Sequence, residues 1–271
     1  MIWVRALRVA ALAAGSVGGL SGAAYTLFTT QAKQARSVIG KPLEQPFNAD
    51  GGYLPDGTGP VSVVGGLRFG IFGDSSAAGL GAESPEALPG VRLARGLADE
   101  ALRPVRLTTY AVSGARTTDL TAQVDRAVAD APDVALVMIG GNDVTARRSI
   151  AESAALLAAE VARLHAVGTA VVVATCPDLG AIQPIPQPLR ELARRRSRAL
   201  ARAQARALAA TPARVVPLAA LLSRHFATRS GELFSADRFH PNGAGYGLAA
   251  EVILAPLCAA VGVCDSAVTP G

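Results

Sequence analysis

Residues 69–82 read FGIFGDSSAAGLGA, an apolar run that stops at Gly73-Asp74-Ser75 and continues into small residues suited to a helix. Glycine lets the backbone turn tightly there, and a serine at such a corner projects its hydroxyl beyond the strand end. The helix start beneath it offers backbone N–H groups to a developing negative charge. A serine hydroxyl is a weak nucleophile at neutral pH and needs a base. Gly-Asp-Ser is also a good turn and helix cap. The pattern G-x-S-x-G is absent, with Ala77 where its last glycine would stand.

Three histidines compete for the role of base. His165 falls at the end of a striped helical segment before Gly168, where its charge suits a helix C-terminus. His225, in LSRHFATRS, reads as a surface residue. His240 lies in FSADRFHPNGAGY, three residues after Asp237. On a tight loop that spacing brings a carboxylate to one imidazole nitrogen and leaves the other for a serine. The carboxylate then fixes the tautomer and stabilises the imidazolium. Charge developing on a carbonyl oxygen would need donors. Gly114 in AVSGARTTDL can bring a backbone N–H close, and Asn142 in MIGGNDVT can donate its side-chain amide. Loop geometry for the glycine, and helix capping for the asparagine, are the plainer alternatives.

These residues need a frame that brings them together. Five short apolar runs, at residues 67–72, 105–111, 134–139, 170–175 and 215–218, read as buried strands. They are continuous rather than alternating, as in a sheet covered on both faces. Helical periods lie between them: 120–131, 150–164, an arginine-rich segment over 188–210, and a last helix over 242–261 with Pro256 kinking or ending it. Alternating strands and helices predict a parallel sheet with helices on both sides. In such sheets ligands bind at the carboxyl ends of the strands. The candidate residues follow the first three strands and precede the last helix, as that rule requires.

Taken together, the Gly-Asp-Ser block at Ser75, Gly114, Asn142 in Gly-Gly-Asn-Asp and His240 in Asp-Arg-Phe-His resemble the SGNH, or GDSL-type, hydrolase superfamily over residues 67–247. The resemblance implies an α/β fold: a three-layer α/β/α sandwich, flavodoxin-like, with a five-stranded parallel sheet. It implies a serine esterase with a nucleophile at Ser75, a base at His240 and an orienting acid at Asp237. It implies an oxyanion hole from the Ser75 and Gly114 N–H groups and the Asn142 amide. Ser76 stands where the family nickname has leucine, a position without a catalytic role in the family. The uncharged stretch after Arg5 and Arg8, a preference for arginine over lysine, and the VVVATCPDLG stretch resemble exported esterases of this type from actinobacteria.

Bulk composition bounds the remainder. The chain has 271 residues, half of them apolar, enough for one full domain, expected over 61–265. The net charge of +5 comes from arginine, a preference read as coding bias, since only Lys33 and Lys41 are lysines. No aromatic-plus-basic pattern points to nucleic acid. The arginines of 188–210 are most simply a solvated face, with anionic lipid or wall polymer as the other reading. Arg5 and Arg8 precede an uncharged stretch from residue 9 to 30, which predicts a signal peptide or membrane anchor over 1–30 and an exported, envelope-located enzyme. Residues 31–60 read as a linker, dense in turn formers in PFNADGGYLPDGTGP. In an oxidising compartment Cys258 and Cys264 are spaced to close a small loop, leaving Cys176 as a buried hydrophobe. No Cys/His spacing supports a metal site, and the chemistry calls for no cofactor. The expected substrates are small-molecule, lipid or carbohydrate esters, with short acyl chains at an exposed site. Acyl transfer, carbohydrate deacetylation and a non-catalytic envelope binding protein are the alternatives. Oligomeric state is not legible.

Overall fold

A computed structural model of the chain describes residues 25–40 and 45–263. In chain order it places helix α1 at 25–39 and strand β1 at Gly51–Tyr53. The elements β2 (Leu67–Gly73), α2 (Ser75–Ala78), α3 (Pro89–Ala101), β3 (Val105–Thr109) and α4 (Leu120–Val128) follow. Next come β4 (Val134–Met138), α5 (Gly141–Thr145), α6 (Ile150–Ala166), β5 (Ala170–Ala174) and α7 (Leu189–Leu208). The chain closes with β6 (Arg214–Val216), α8 (Leu218–Thr228), α9 (Ser230–Leu233) and α10 (Gly243–Ala260).

The sheet runs β1-β3-β2-β4-β5-β6. The five anticipated strands are mutually parallel, and β1 adds a sixth, antiparallel to β3. The five-stranded expectation is thus one strand short. The extra strand comes from the stretch read as a linker, which also holds most of α1. Its physical basis is backbone pairing, not a side-chain pattern. Gly52 exchanges both backbone bonds with Val61 (2.8 and 2.9 Å), while Tyr53 is fully buried and its hydroxyl donates to the Ala49 carbonyl.

Both faces of the parallel strands are covered, which explains their continuous apolar runs. Along β4, Leu136 and Met138 join a core with α3, α8 and α10. Ala135 and Val137 join a second core with α4 and α6 on the other face. Neither α3 nor α8 was anticipated; both bury apolar stripes, Val91, Ala94 and Leu97 on the first, Leu218 and Leu222 on the second. Pro256 does not end α10, which continues to Ala260. Among the described residues α10 alone is long and apolar enough to span a bilayer, yet Tyr246, Ile253 and Leu257 lie in the core. The expected export segment falls mostly on residues 1–24, and Cys264 on 264–271, outside the described residues.

Candidate active site

Ser75 opens α2 directly after β2. The crossing is tight: Gly73 has φ +136°, and a Cβ there would sit 1.8 Å from the Met138 carbonyl oxygen. Gln123, buried on α4, grips this glycine from both sides. Its Oε1 accepts the Gly73 N–H and its Nε2 donates to the Gly73 carbonyl, each at 2.8 Å. Asp74 caps α2 by accepting the Ser76 N–H at 2.9 Å. As the first residue of α2, Ser75 has no intrahelical acceptor for its own N–H.

His240 and Asp237 lie on the loop between α9 and α10. The carboxylate builds the loop as well as facing the ring. Asp237 Oδ1 accepts from the Ser235 hydroxyl and from the N–H groups of Phe239 and His240, at 2.8 to 2.9 Å. Its other oxygen, Oδ2, lies 2.6 Å from His240 Nδ1. With Nδ1–H donated to that carboxylate, His240 Nε2 is left to accept the Ser75 hydroxyl, 3.0 Å away. The structure therefore joins Ser75, His240 and Asp237 in one unbroken chain of hydrogen bonds. Burial alone would raise the Asp237 carboxyl, but the His240 ring, the two backbone N–H groups and the Ser235 hydroxyl outweigh it and hold it well below the ordinary carboxylate range. The other two histidines lie elsewhere: His165 Nδ1 bonds Thr169 O at the end of α6, and His225 is exposed on α8.

Asn142, in the first turn of α5, lines the same cavity as Ser75 and His240. One of its amide hydrogens goes to the Ala115 carbonyl at 2.9 Å, which ties it to the loop after β3. Gly114 sits on that loop with φ +84°, exposed, its N–H without an acceptor among the described residues. It lines a neighbouring cavity rather than the one holding Ser75. Asp143 braces the arrangement. It accepts the N–H and hydroxyl of Thr117 with one oxygen and the Ser153 hydroxyl with the other, all at 3.0 Å. Gln204 on α7 does the same for the ends of β4 and β5, bonding Ile139 O and Cys176 N. Sequence reasoning missed Gln123, Asp143 and Gln204. A polar side chain in a helix reads as solvated unless its partner is known.

The site is not open in the way expected. Ser75 and His240 are 9% and 6% exposed. They face a cavity whose walls are mostly apolar, including Ile182, Leu218, Leu222, Phe226 and Phe234. Asp178 and Ser223 form part of its wall, the carboxylate held by the Ser223 hydroxyl at 2.8 Å and by Arg198. Cys176 is fully buried, and burial pushes its thiol up, away from thiolate chemistry. Among the described residues no cluster of metal-ligating side chains is found.

The chain is similar to known proteins. The GDSL-like lipase/acylhydrolase family model matches residues 71–248, a span that contains every candidate residue. A GDSL-like esterase of Mycobacterium tuberculosis, Rv1075c, is 44% identical over 91% of this chain and 82% of its own. Among solved structures, TesA superposes with a TM-score of 0.58 at 22% identity, covering 72% of this chain and 99% of that one. A catalytic mutant of Axe2, an acetylxylan esterase from Geobacillus stearothermophilus, gives 0.53 at 21% identity, covering 72% and 95%. The two structures share the fold. From the family match and the identity to the mycobacterial enzyme, the chain belongs to the GDSL-like lipase/acylhydrolase family and is a serine esterase of that type.

Proposed function

We propose that Ser75 is the nucleophile, His240 the base and Asp237 its orienting acid, in an envelope enzyme that hydrolyses carboxylic esters of short acyl chains. One observation carries this reading: the Asp237–His240–Ser75 bond chain ends on the wall of an apolar cavity. Ser75 Oγ attacks the ester carbonyl while His240 Nε2 takes its proton. The tetrahedral oxyanion is met by the N–H groups of Ser75 and Gly114 and by the Asn142 amide. His240 then protonates the leaving alcohol, giving an acyl-enzyme, and next activates water to release the acid. Asp237 remains ionised and compensates the imidazolium in both stages.

The cavity supports the acyl preference. Its alkyl-compatible walls also include the polar groups of Asp178 and Ser223, which favours a short acyl chain over a long one. The envelope address is supported by Arg5, Arg8 and the uncharged stretch that follows them. Purified Ser75→Ala protein, assayed on a p-nitrophenyl ester with a short acyl group, is expected to lose at least about 10³-fold in kcat with an unchanged circular dichroism spectrum. Turnover equal to the unsubstituted enzyme would overturn the assignment.

A further inference from the structure

The α7 helix carries seven arginines against a single glutamate. Arg195, Arg198, Arg202 and Arg206 fall at steps of three, four and four, and all four are exposed along one stripe. Two of them are neutralised, Arg195 by Glu191 at 2.9 Å and Arg198 by Asp178 at 2.8 Å. Arg202 and Arg206 have no acidic partner among the described residues. Arg224 of α8, also exposed and without such a partner, faces the same groove as Arg194, Arg198 and Arg202. The floor between them is largely alanine, and Asp178 is the one acidic residue lining the groove among the described residues.

Arg194 and Arg198 share Asp178, while Arg202 and Arg224 have no carboxylate of their own, and the surplus of positive charge along the groove favours an anion there. The planar guanidinium forks suit phosphate oxygens in particular. The placement of the groove narrows the source of that phosphate. Gln31 of α1 accepts the Leu189 N–H at 3.1 Å and donates to the Gln187 carbonyl, fastening α1 to the start of α7. The uncharged stretch from residue 9 runs directly into α1. Lys33 and Arg36 on α1 are exposed, as are Tyr25 and Leu27 near its start and Leu221 on α8. Basic side chains interspersed with single exposed aromatic and aliphatic ones are the chemistry of a bilayer interface.

We infer that the α7–α8 groove seats the phosphate of an anionic phospholipid headgroup and holds the domain against the membrane. The inference rests on the envelope reading of the N-terminal segment and is independent of the ester chemistry. Asp178, Ala181 and Ser223 line both this groove and the Ser75 cavity, so a seated headgroup lies one wall away from the reacting serine.

The test uses the full chain in nanodiscs of phosphatidylcholine, with and without phosphatidylglycerol, read by hydrogen–deuterium exchange over residues 189–228. Phosphatidylglycerol is expected to slow exchange along α7 and α8. The double variant Arg202→Gln/Arg224→Gln should weaken this docking by about 30-fold, from about 1 kcal/mol per arginine near an anionic surface. Its turnover of a soluble ester should be unchanged, so that a failed docking result leaves the esterase assignment intact. Equal exchange in the two kinds of disc, or equal protection in the variant, would overturn the inference. Equal protection from inorganic phosphate alone, or from soluble polyphosphate, would make the groove a free-anion or polymer site and also overturn it. A full chain that enters neither disc removes the envelope reading and the inference with it.

Discussion

Asp74 and Asp237 are two carboxylates close to one imidazole, and their surroundings drive them in opposite directions. Asp237 has four donors and stays ionised. Asp74 is buried beside Ser75 with the Ser76 N–H as its main donor, and burial pushes its carboxyl from 3.8 up to about 6. A group raised in the folded state supports stability below its unfolded value and withdraws that support as pH rises through the folded one. Between about pH 4 and 6 Asp74 therefore destabilises the fold progressively, by about 3 kcal/mol in all. Asn at this position still accepts the Ser76 N–H and carries no charge. Asp74→Asn is expected to match the unsubstituted protein in stability near pH 4 and exceed it by about that amount at pH 7. Urea unfolding at the two pH values measures it, and an equal difference at both would show that Asp74 titrates as an exposed carboxylate does.

At the scale of elements, the loops that carry Ser75 and Asn142 are held by glutamine and aspartate side chains reaching in from helices. Gln123→Leu keeps the volume of the side chain and leaves the buried Gly73 N–H without a partner, while the Gly73 carbonyl keeps the Val112 N–H at 3.1 Å. For one unpaired buried group a loss of roughly 1–3 kcal/mol in thermal unfolding is expected, with kcat reduced because Ser75 follows two residues later. Loss of stability near zero would mean that water replaces the amide. The site-bearing loops were legible because their signals are local: a glycine at a strand end, an aspartate three residues before a histidine. The braces were not legible, since Gln123 lies 50 residues in sequence from Gly73, and Gln204 lies 65 and 28 from Ile139 and Cys176. The α8 helix was missed too, and it walls the cavity. Leu222, 6% exposed, occupies that wall. Leu222→Phe is expected to lower kcat/KM by about tenfold or more for each methylene it excludes, while the acetyl ester keeps its rate. A p-nitrophenyl ester series reads this directly. A uniform decrease at every length would place Leu222 outside the acyl path.

Across the whole molecule, the two sheet faces followed from the apolar runs, but a third core did not. It gathers Val144, Cys176, Leu179, Ile182 and Leu200 under the loop that leaves β5, and Ala35 of α1 completes it. Composition gave no hint of this, because α1 begins in the stretch read as an export segment and ends in the one read as a linker. Leu179 and Ile182 belong both to this core and to the wall of the Ser75 cavity. The packing of α1 is therefore coupled to the shape of the site from outside the parallel-sheet layers. Ala35→Glu would set a carboxylate into this buried apolar core, a burial that undocking the helix would avoid. The Leu189 amide, which donates to Gln31, is then expected to exchange with solvent much faster, while amides in the middle of α7 keep their protection. If α1 supports the wall, KM for the longer soluble esters rises in the same variant and kcat for the acetyl ester stays constant. Fast exchange at Leu189 with no change in KM would confine α1 to tethering, and a cavity wall that stands without it would be the reading left.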